Sequence, residues 1–212
     1  MKKYVAEFLG TFALVFCGTG AIIIDQQTHG TIGHAGVAIT FGLIVTAMIY
    51  TFGNISGSHI NPAVTLGFFL LKLFPANKVL PYILFQVAGA FAASFLLSFL
   101  FPTSYTLGDT HPAGTETQSF ILEFILTYFL MLTILFTSQG SEKVLSLAGL
   151  VIGGVVLLEA MFAGPICGAS MNPARSLAPA VVSGHLESLW VYLSAPVLGS
   201  LSGSLSYRWL ST

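Results

Sequence analysis

The tripeptide Asn-Pro-Ala occurs twice in this chain, as Asn61-Pro62-Ala63 within SGSHINPAVTLG and as Asn172-Pro173-Ala174 within CGASMNPARSLAP. Each copy reads as a helix start, because Asn is a strong N-cap and Pro at the first helical position gives up no hydrogen bond that the helix would have made. Neither helix can run far: the apolar run after Pro62 stops near Lys72, and the run after Pro173 stops near Ser183-Gly184. Each therefore has about ten residues and a length of roughly 15 Å, half of the ~30 Å core of a bilayer. A pair of half-length helices at matching positions in two halves of a membrane protein points to a binding or permeation site at the midplane.

The rest of the sequence supplies the membrane protein. Of 212 residues, 55% are hydrophobic and 7% charged, with a mean hydropathy of +0.88, whereas a soluble domain is about 25% charged. A net charge of −1 and seven scattered basic residues exclude a nucleic-acid groove. Lys2 and Lys3 before an apolar run resemble the start of a signal peptide, but Glu7 interrupts the run and no clean small-residue cleavage site follows, which predicts an uncleaved first span. Cys17 and Cys167 sit in apolar or loop context and are read as packing residues. With too few ligands for a metal and no nucleophile–base pair, neither a cofactor nor enzymatic chemistry is expected.

Six apolar stretches are long enough to span, at about 4–24, 35–53, 80–101, 118–138, 145–164 and 188–210. The half-helices fall after the second and the fifth. The halves also resemble each other. Glu7-Phe8-Leu9-Gly10-Thr11-Phe12 matches Glu123-Phe124-Ile125-Leu126-Thr127-Tyr128, Ala35-Gly36-Val37 matches Ala148-Gly149-Leu150, and Gln86-Val87-Ala88-Gly89 lines up with Pro196-Val197-Leu198-Gly199. Three spans per half is an odd number, so the second half must be inverted and the half-helices must meet N-terminus to N-terminus. The expected fold is an all-α membrane protein, one domain over 1–212 with inverted repeats at about 4–101 and 118–210. Lys2, Lys3, Lys72, Lys78, Lys143 and Arg208 share one side, which predicts cytoplasmic termini. Gly149-x-x-x-Gly153 and Gly199-x-x-x-Gly203 are small-residue faces for close helix packing.

Arg175, directly after the second Asn-Pro-Ala, is costly in a membrane unless it faces a wet cavity. It is read as a donor beside a narrow outer channel that repels cations and binds neutral solutes. Asn61 and Asn172 spend their side-chain oxygens on capping and are expected to leave amide donors free for the lumen. Flanked by two helix N-termini of about half a positive charge each, they hold an oxygen acceptor and disfavour a cation. The irregular stretches Gly57-Ser58-His59-Ile60 and Gly168-Ala169-Ser170-Met171 are expected to line the pore with unpaired carbonyls, His59 on its cytoplasmic half. Glu7 and Glu123 are read as structural braces taking backbone N–H groups from those stretches. Glu159, without a repeat partner, is either a satisfied core acid or a group near the pore mouth. His29, His34, His111 and His185 read as exposed loop residues without a role.

At these residues the chain resembles the major intrinsic protein family, the aquaporins and aquaglyceroporins, from Glu7 to Arg208. The resemblance implies a homotetramer in the cell membrane, each subunit a right-handed six-helix bundle with its own pore for water and small neutral solutes, and passive flow that excludes protons. It also implies an outer selectivity filter at Phe41, Ala160, Ala169 and Arg175. Strict water channels carry His where this chain has Ala160, so a wider opening follows. Against that, Ser176 replaces the Asp that glycerol facilitators carry after the Arg, and Ala180 also matches the water-channel type. The combination is similar to the plant nodulin-like intrinsic proteins and their bacterial relatives, a branch associated with water, glycerol and undissociated arsenite, boric and silicic acids. Three functions follow: a channel for water and small hydroxylated solutes, a water-selective channel, and an ion-coupled or proton-conducting protein using Glu159. The paired positive helix ends argue against the last.

Overall fold

The computed structural model describes residues 1–211, and the described residues are helices and connecting segments without strands. Among the described residues nine helices follow in order: α1 (Lys2–Gln27), α2 (Gly33–Ser56), α3 (Pro62–Leu70), α4 (Ala76–Leu100), α5 (Glu116–Ser138), α6 (Glu142–Ser146), α7 (Ala148–Cys167), α8 (Pro173–Ser183) and α9 (Leu189–Leu210). Helices α1, α2, α4, α5 and α7 are long and apolar enough to cross a bilayer. Helix α9 has 22 residues, enough for that distance, but its five serines and Arg208 dilute its hydropathy. The short α6 is a departure from the sequence reading, in which an apolar stretch began at Leu145. Leu145 and Ser146 close the five-residue turn of α6, and the fifth long helix begins at Ala148.

The two Asn-Pro-Ala helices are as short as their sequences require. Helix α3 has nine residues and α8 eleven, about 14 and 16 Å. Asn61 and Asn172 are their N-caps in extended backbone, with Pro62 and Pro173 in the first turn. Helix α8 stops at Gly184, which takes the left-handed conformation that glycine adopts without a Cβ penalty.

Helix packing runs along equivalent pairs in the two halves. Helix α1 lies against α4 and α5 against α9, while α2 and α7 pack on each other. The closest approaches use glycine. A Cβ on Gly89 of α4 would strike the Phe8 carbonyl of α1, and a Cβ on Gly199 of α9 would strike the Phe124 carbonyl of α5. Between α2 and α7, a Cβ on Gly153 would overlap the Thr46 hydroxyl, and Thr46 Oγ1 itself donates to the Gly149 carbonyl at 3.1 Å. In lipid, where no hydrophobic force draws apolar helices together, this close contact supplies the association. The short helices cross between the halves: α3 packs chiefly on α9 and α8 on α4, and Ser200 Oγ of α9 donates to the Ala63 carbonyl at 2.7 Å.

Gly89→Ala and Gly199→Ala are each expected to lower stability by about 1–3 kcal/mol, since the added methyl meets backbone that cannot turn aside. Thermal unfolding in detergent reads this as a Tm loss of about 2–4 °C per kcal/mol. Gly154→Ala on α7, where a Cβ meets nothing within 4 Å, is expected to hold or raise the Tm.

Candidate functional site

Two loops, each entering an Asn-Pro-Ala helix, meet at the centre of the bundle. Their backbones repeat the same unusual course. Gly57, Ser58 and Ile60 have φ of 89°, 48° and 44°, and Gly168, Ala169 and Met171 have φ of 84°, 41° and 54°. Left-handed backbone at four non-glycine residues, one of them β-branched, costs of order 1–3 kcal/mol each and persists only where the surroundings over-determine it.

Two carboxylates provide that constraint. Glu7 of α1 is fully buried; its Oε1 accepts from His59 N at 3.0 Å and Ser56 Oγ at 2.7 Å, and its Oε2 accepts from Ile60 N and Gln86 Nε2, both at 2.7 Å. Glu123 of α5, also fully buried, accepts from Ser170 N at 2.7 Å and Met171 N at 2.8 Å. The first loop is further fixed by Tyr82 OH donating to the Ser56 carbonyl at 2.8 Å.

The asparagines join the loops to each other. Asn61 Oδ1 accepts from Ala63 N, and Asn172 Oδ1 accepts from Ala174 N and Arg175 N. Asn61 Nδ2 donates to the Met171 carbonyl at 2.7 Å, and Asn172 Nδ2 donates to the Ile60 carbonyl at 2.9 Å. This corrects two expectations. The amides are not wholly free for the lumen, and the Ile60 and Met171 carbonyls are not unpaired; each amide spends one N–H on the opposite loop because the two N-termini abut. One N–H per asparagine is left over.

A cavity of about 960 Å³ reaches this clasp. It starts among Lys3, Lys78, Glu142 and Ser146 and runs past His59, Asn61 and Asn172 to Phe41 and Arg175. Gly57, Ser58, Ala169 and Ser170 also line it. His59 is held by its Nδ1 near Thr65 Oγ1 at 3.1 Å and by ring contact with Phe68, Phe74 and Tyr82. Pro62, Ala63, Pro173 and Ala174 stand behind this wall in the first turns of α3 and α8. Ala160, Gly168 and Glu159 are not on it. Ala160 is buried on α7 and its methyl is short, and Gly168 caps α7 with its Cα face against Thr110. Glu159 is half-buried, and its Oε2 is buried without a hydrogen-bond partner among the described residues, so it is not a fully satisfied core acid.

Arg175 closes the inner end of the cavity. It is 2% exposed; its Nη1 donates to the Gly108 carbonyl at 2.8 Å, and its Cζ lies 5.1 Å from the centroid of the Phe41 ring. Its Nε has no partner among the described residues. The Phe41 ring fits because Gly18 of α1 lacks a Cβ that would overlap it. Ser176, fully buried, shares a hydrogen bond with Ser170 Oγ and accepts from Thr110 Oγ1 at 2.8 Å. Cys167 is buried with its Sγ on the Ala163 carbonyl, and both cysteines are free thiols. His34 opens α2, with Nε2 2.7 Å from the Met161 carbonyl. Sequence reasoning missed Ser56, Tyr82, Gln86, Gly18 and the segment around Gly108; of these only Gln86 carried a signal, as a polar residue on an apolar span.

Comparison with known proteins gives one family throughout. The profile of the major intrinsic protein family matches residues 1–207. Aquaporin NIP1-3 of Oryza sativa subsp. japonica is 44% identical over 209 residues, 98% of this chain and 73% of that protein. Nodulin-26 of Glycine max is 42% identical over 209 residues, 98% of this chain and 77% of that protein. Among solved structures, the aquaglyceroporin from Plasmodium falciparum superposes with a TM-score of 0.87 at 28% identity, over 97% of this chain and 94% of that one.

Glu7→Gln is expected to be more destabilising than Glu123→Gln. An amide placed at either Glu7 oxygen faces two donors, whereas at Glu123 it faces one backbone N–H, and each orphaned donor costs about 1–3 kcal/mol. Paired melting curves of the two variants in one detergent check the order.

Proposed function

The chain belongs to the major intrinsic protein family, whose aquaporins are passive multi-pass membrane channels and not enzymes, and from that premise we propose that it passes water together with small uncharged hydroxylated solutes. Glycerol and undissociated metalloid acids such as arsenite, boric and silicic acid are the solutes we assign. The observation that carries this reading is the pairing of a single large ring, Phe41, with Arg175 while the two other filter positions, Ala160 and Ala169, hold only methyls. A solute hydroxyl accepts from the Arg175 guanidinium, and its carbon face passes Phe41 and the small side.

Ion exclusion follows from the same centre. The N-termini of α3 and α8 each bring about half a positive charge, and Arg175 adds a full one. A neutral oxygen accepts the spare asparagine N–H groups, while sodium or hydronium meets only positive ends. In the cell we place the protein in the plasma or inner membrane as a homotetramer with cytoplasmic termini, on the distribution of lysines and on family likeness, and as one domain of two inverted repeats.

A second reading, a water-selective channel, is favoured by Ser176. Its bonds to Ser170 and Thr110 tie two loops together beside Arg175 and stiffen the opening against larger solutes.

Stopped-flow measurements on proteoliposomes separate these. Water, glycerol and arsenous acid are each expected to enter faster than into empty liposomes, with no current in a planar bilayer under voltage or a pH gradient. Water flux alone would establish the second reading, and no flux above empty liposomes would overturn both. Ala160→His is expected to cut glycerol flux by about tenfold or more while sparing water, the scale on which a shaped site rejects a group that no longer fits.

A further inference from the structure

The segment between α4 and α5, residues 101–115, carries an arrangement that the channel reading does not use. Leu107 is buried against Ile23 and Leu97, Ala113 N donates to the Ile166 carbonyl at 2.9 Å, and Thr110 Oγ1 donates to Ser176 Oγ. Gly108, whose carbonyl receives Arg175 Nη1, sits so tightly on Thr19 of α1 that a Cβ there would clash with it. The next residue is Asp109, whose side chain is 3% exposed. Its Oδ1 lies 3.3 Å from His111 Nδ1, and its Oδ2 lies 2.9 Å from His185 Nδ1 and 3.4 Å from Ser183 Oγ. Both histidines, read from the sequence as exposed and without a role, thus share one buried carboxylate.

The segment therefore grips α8 at two points. Gly108 holds Arg175 in its first turn, and Asp109 holds Ser183, its last residue, and His185 just beyond. A carboxylate at the C-terminal end of a helix is repelled by the helix dipole, and a cation there is favoured. A carboxylate only accepts, so each imidazole presents Nδ1–H to Asp109. Each of these bonds already has an anionic acceptor, and protonation of an imidazole adds a positive charge to the donor side, turning the bond into an ion pair. The other charged or titratable groups around the cluster are Arg175 from α8 and Tyr105, whose ring centroid lies 4.3 Å from that of His185. Asp25, at the end of α1, is engaged by Gly33 N at 2.6 Å, and Glu116 by Ser188 Oγ at 2.6 Å.

We propose that Asp109, with His111 and His185, is a positioning clamp for Arg175 whose grip tightens on protonation and so sets the filter's preference between glycerol and water. The proposal rests on the channel reading above. With the imidazoles protonated, the clamp carries positive charge against Asp109, the Gly108 carbonyl is held more firmly on Arg175, and the larger solute is disfavoured.

The test uses proteoliposomes of the full chain equilibrated on both sides at pH 7.5 or pH 5, which makes the orientation of the protein irrelevant. The glycerol-to-water permeability ratio is expected to be lower at pH 5 by about twofold or more. Asp109→Asn is expected to remove the pH dependence and leave the ratio at or above the wild-type value at pH 7.5. His185→Ala, which keeps the carboxylate, is expected to reduce the shift. His29→Ala, on the loop between α1 and α2, is expected to keep the shift in full. A shift that survives Asp109→Asn would overturn the clamp. So would robust wild-type flux with a pH-independent ratio, or a full shift in His185→Ala. Absence of any flux overturns the channel reading and this one together.

Discussion

Glu7 and Glu123 carry fully buried carboxylates into the middle of a helical bundle, and the two loops at its centre exist because of them. In hydrocarbon, backbone that leaves a helix must find partners or line a wet cavity. Here it does both. The N–H groups of His59, Ile60, Ser170 and Met171 turn inward to the carboxylates, and the side of each loop facing the cavity is left to serve a solute. The positive φ angles at Ser58, Ile60, Ala169 and Met171 produce this division of backbone directions, and the charge-assisted bonds of the glutamates offset their strain.

The asparagine clasp builds on that brace. Two helix N-termini brought together repel each other electrostatically, since both ends are positive. Asn61 and Asn172 answer this by donating across the junction to Met171 and Ile60, so the same side chains cap their own helices and hold the opposing one. The result is a positive centre that is mechanically stable. On the function proposed above, such a centre receives neutral oxygens well and cations poorly, which would link the packing of α3 and α8 to the chemistry of passage.

The parts of this arrangement that were legible in the sequence are those where a residue type has few physical uses. Asn-Pro-Ala in a greasy chain is a helix start, and Gly89 and Gly199 opposite Phe8 and Phe124 mark close helix contacts that repeat in both halves. The asparagine donors were misjudged because their partners lie 110 and 112 residues away, and capping geometry, which is local, does not reveal them. Left-handed Ile60 was invisible, since a β-branched residue is among the last expected there. His111 and His185 looked idle because Asp109, their shared partner, is buried by the course of residues 101–115, and no periodicity governs such a segment. Helix α9 was found from an apolar stretch that its serines dilute; its place is fixed by glycine contact with α5 more than by hydropathy.

If solute choice is made at the four proposed filter positions, Ser176 bears on it without being one of them. It is fully buried between Ser170 and Thr110, one in the second central loop and one in the segment that holds Arg175 through Gly108. A carboxylate in this position would bring a charge into a space that accommodates a hydroxyl, and would need new donors from both neighbours. Replacing that serine therefore changes how two loops are joined before it changes what the cavity wall looks like. The guanidinium of Arg175 is attached at the Gly108 carbonyl and at the face of Phe41, while its backbone N–H is held by Asn172. On the proposed reading, Gly108 and Ser176 bear on how far the opening beside Arg175 can yield through the groups they hold and not through their own contact with a solute.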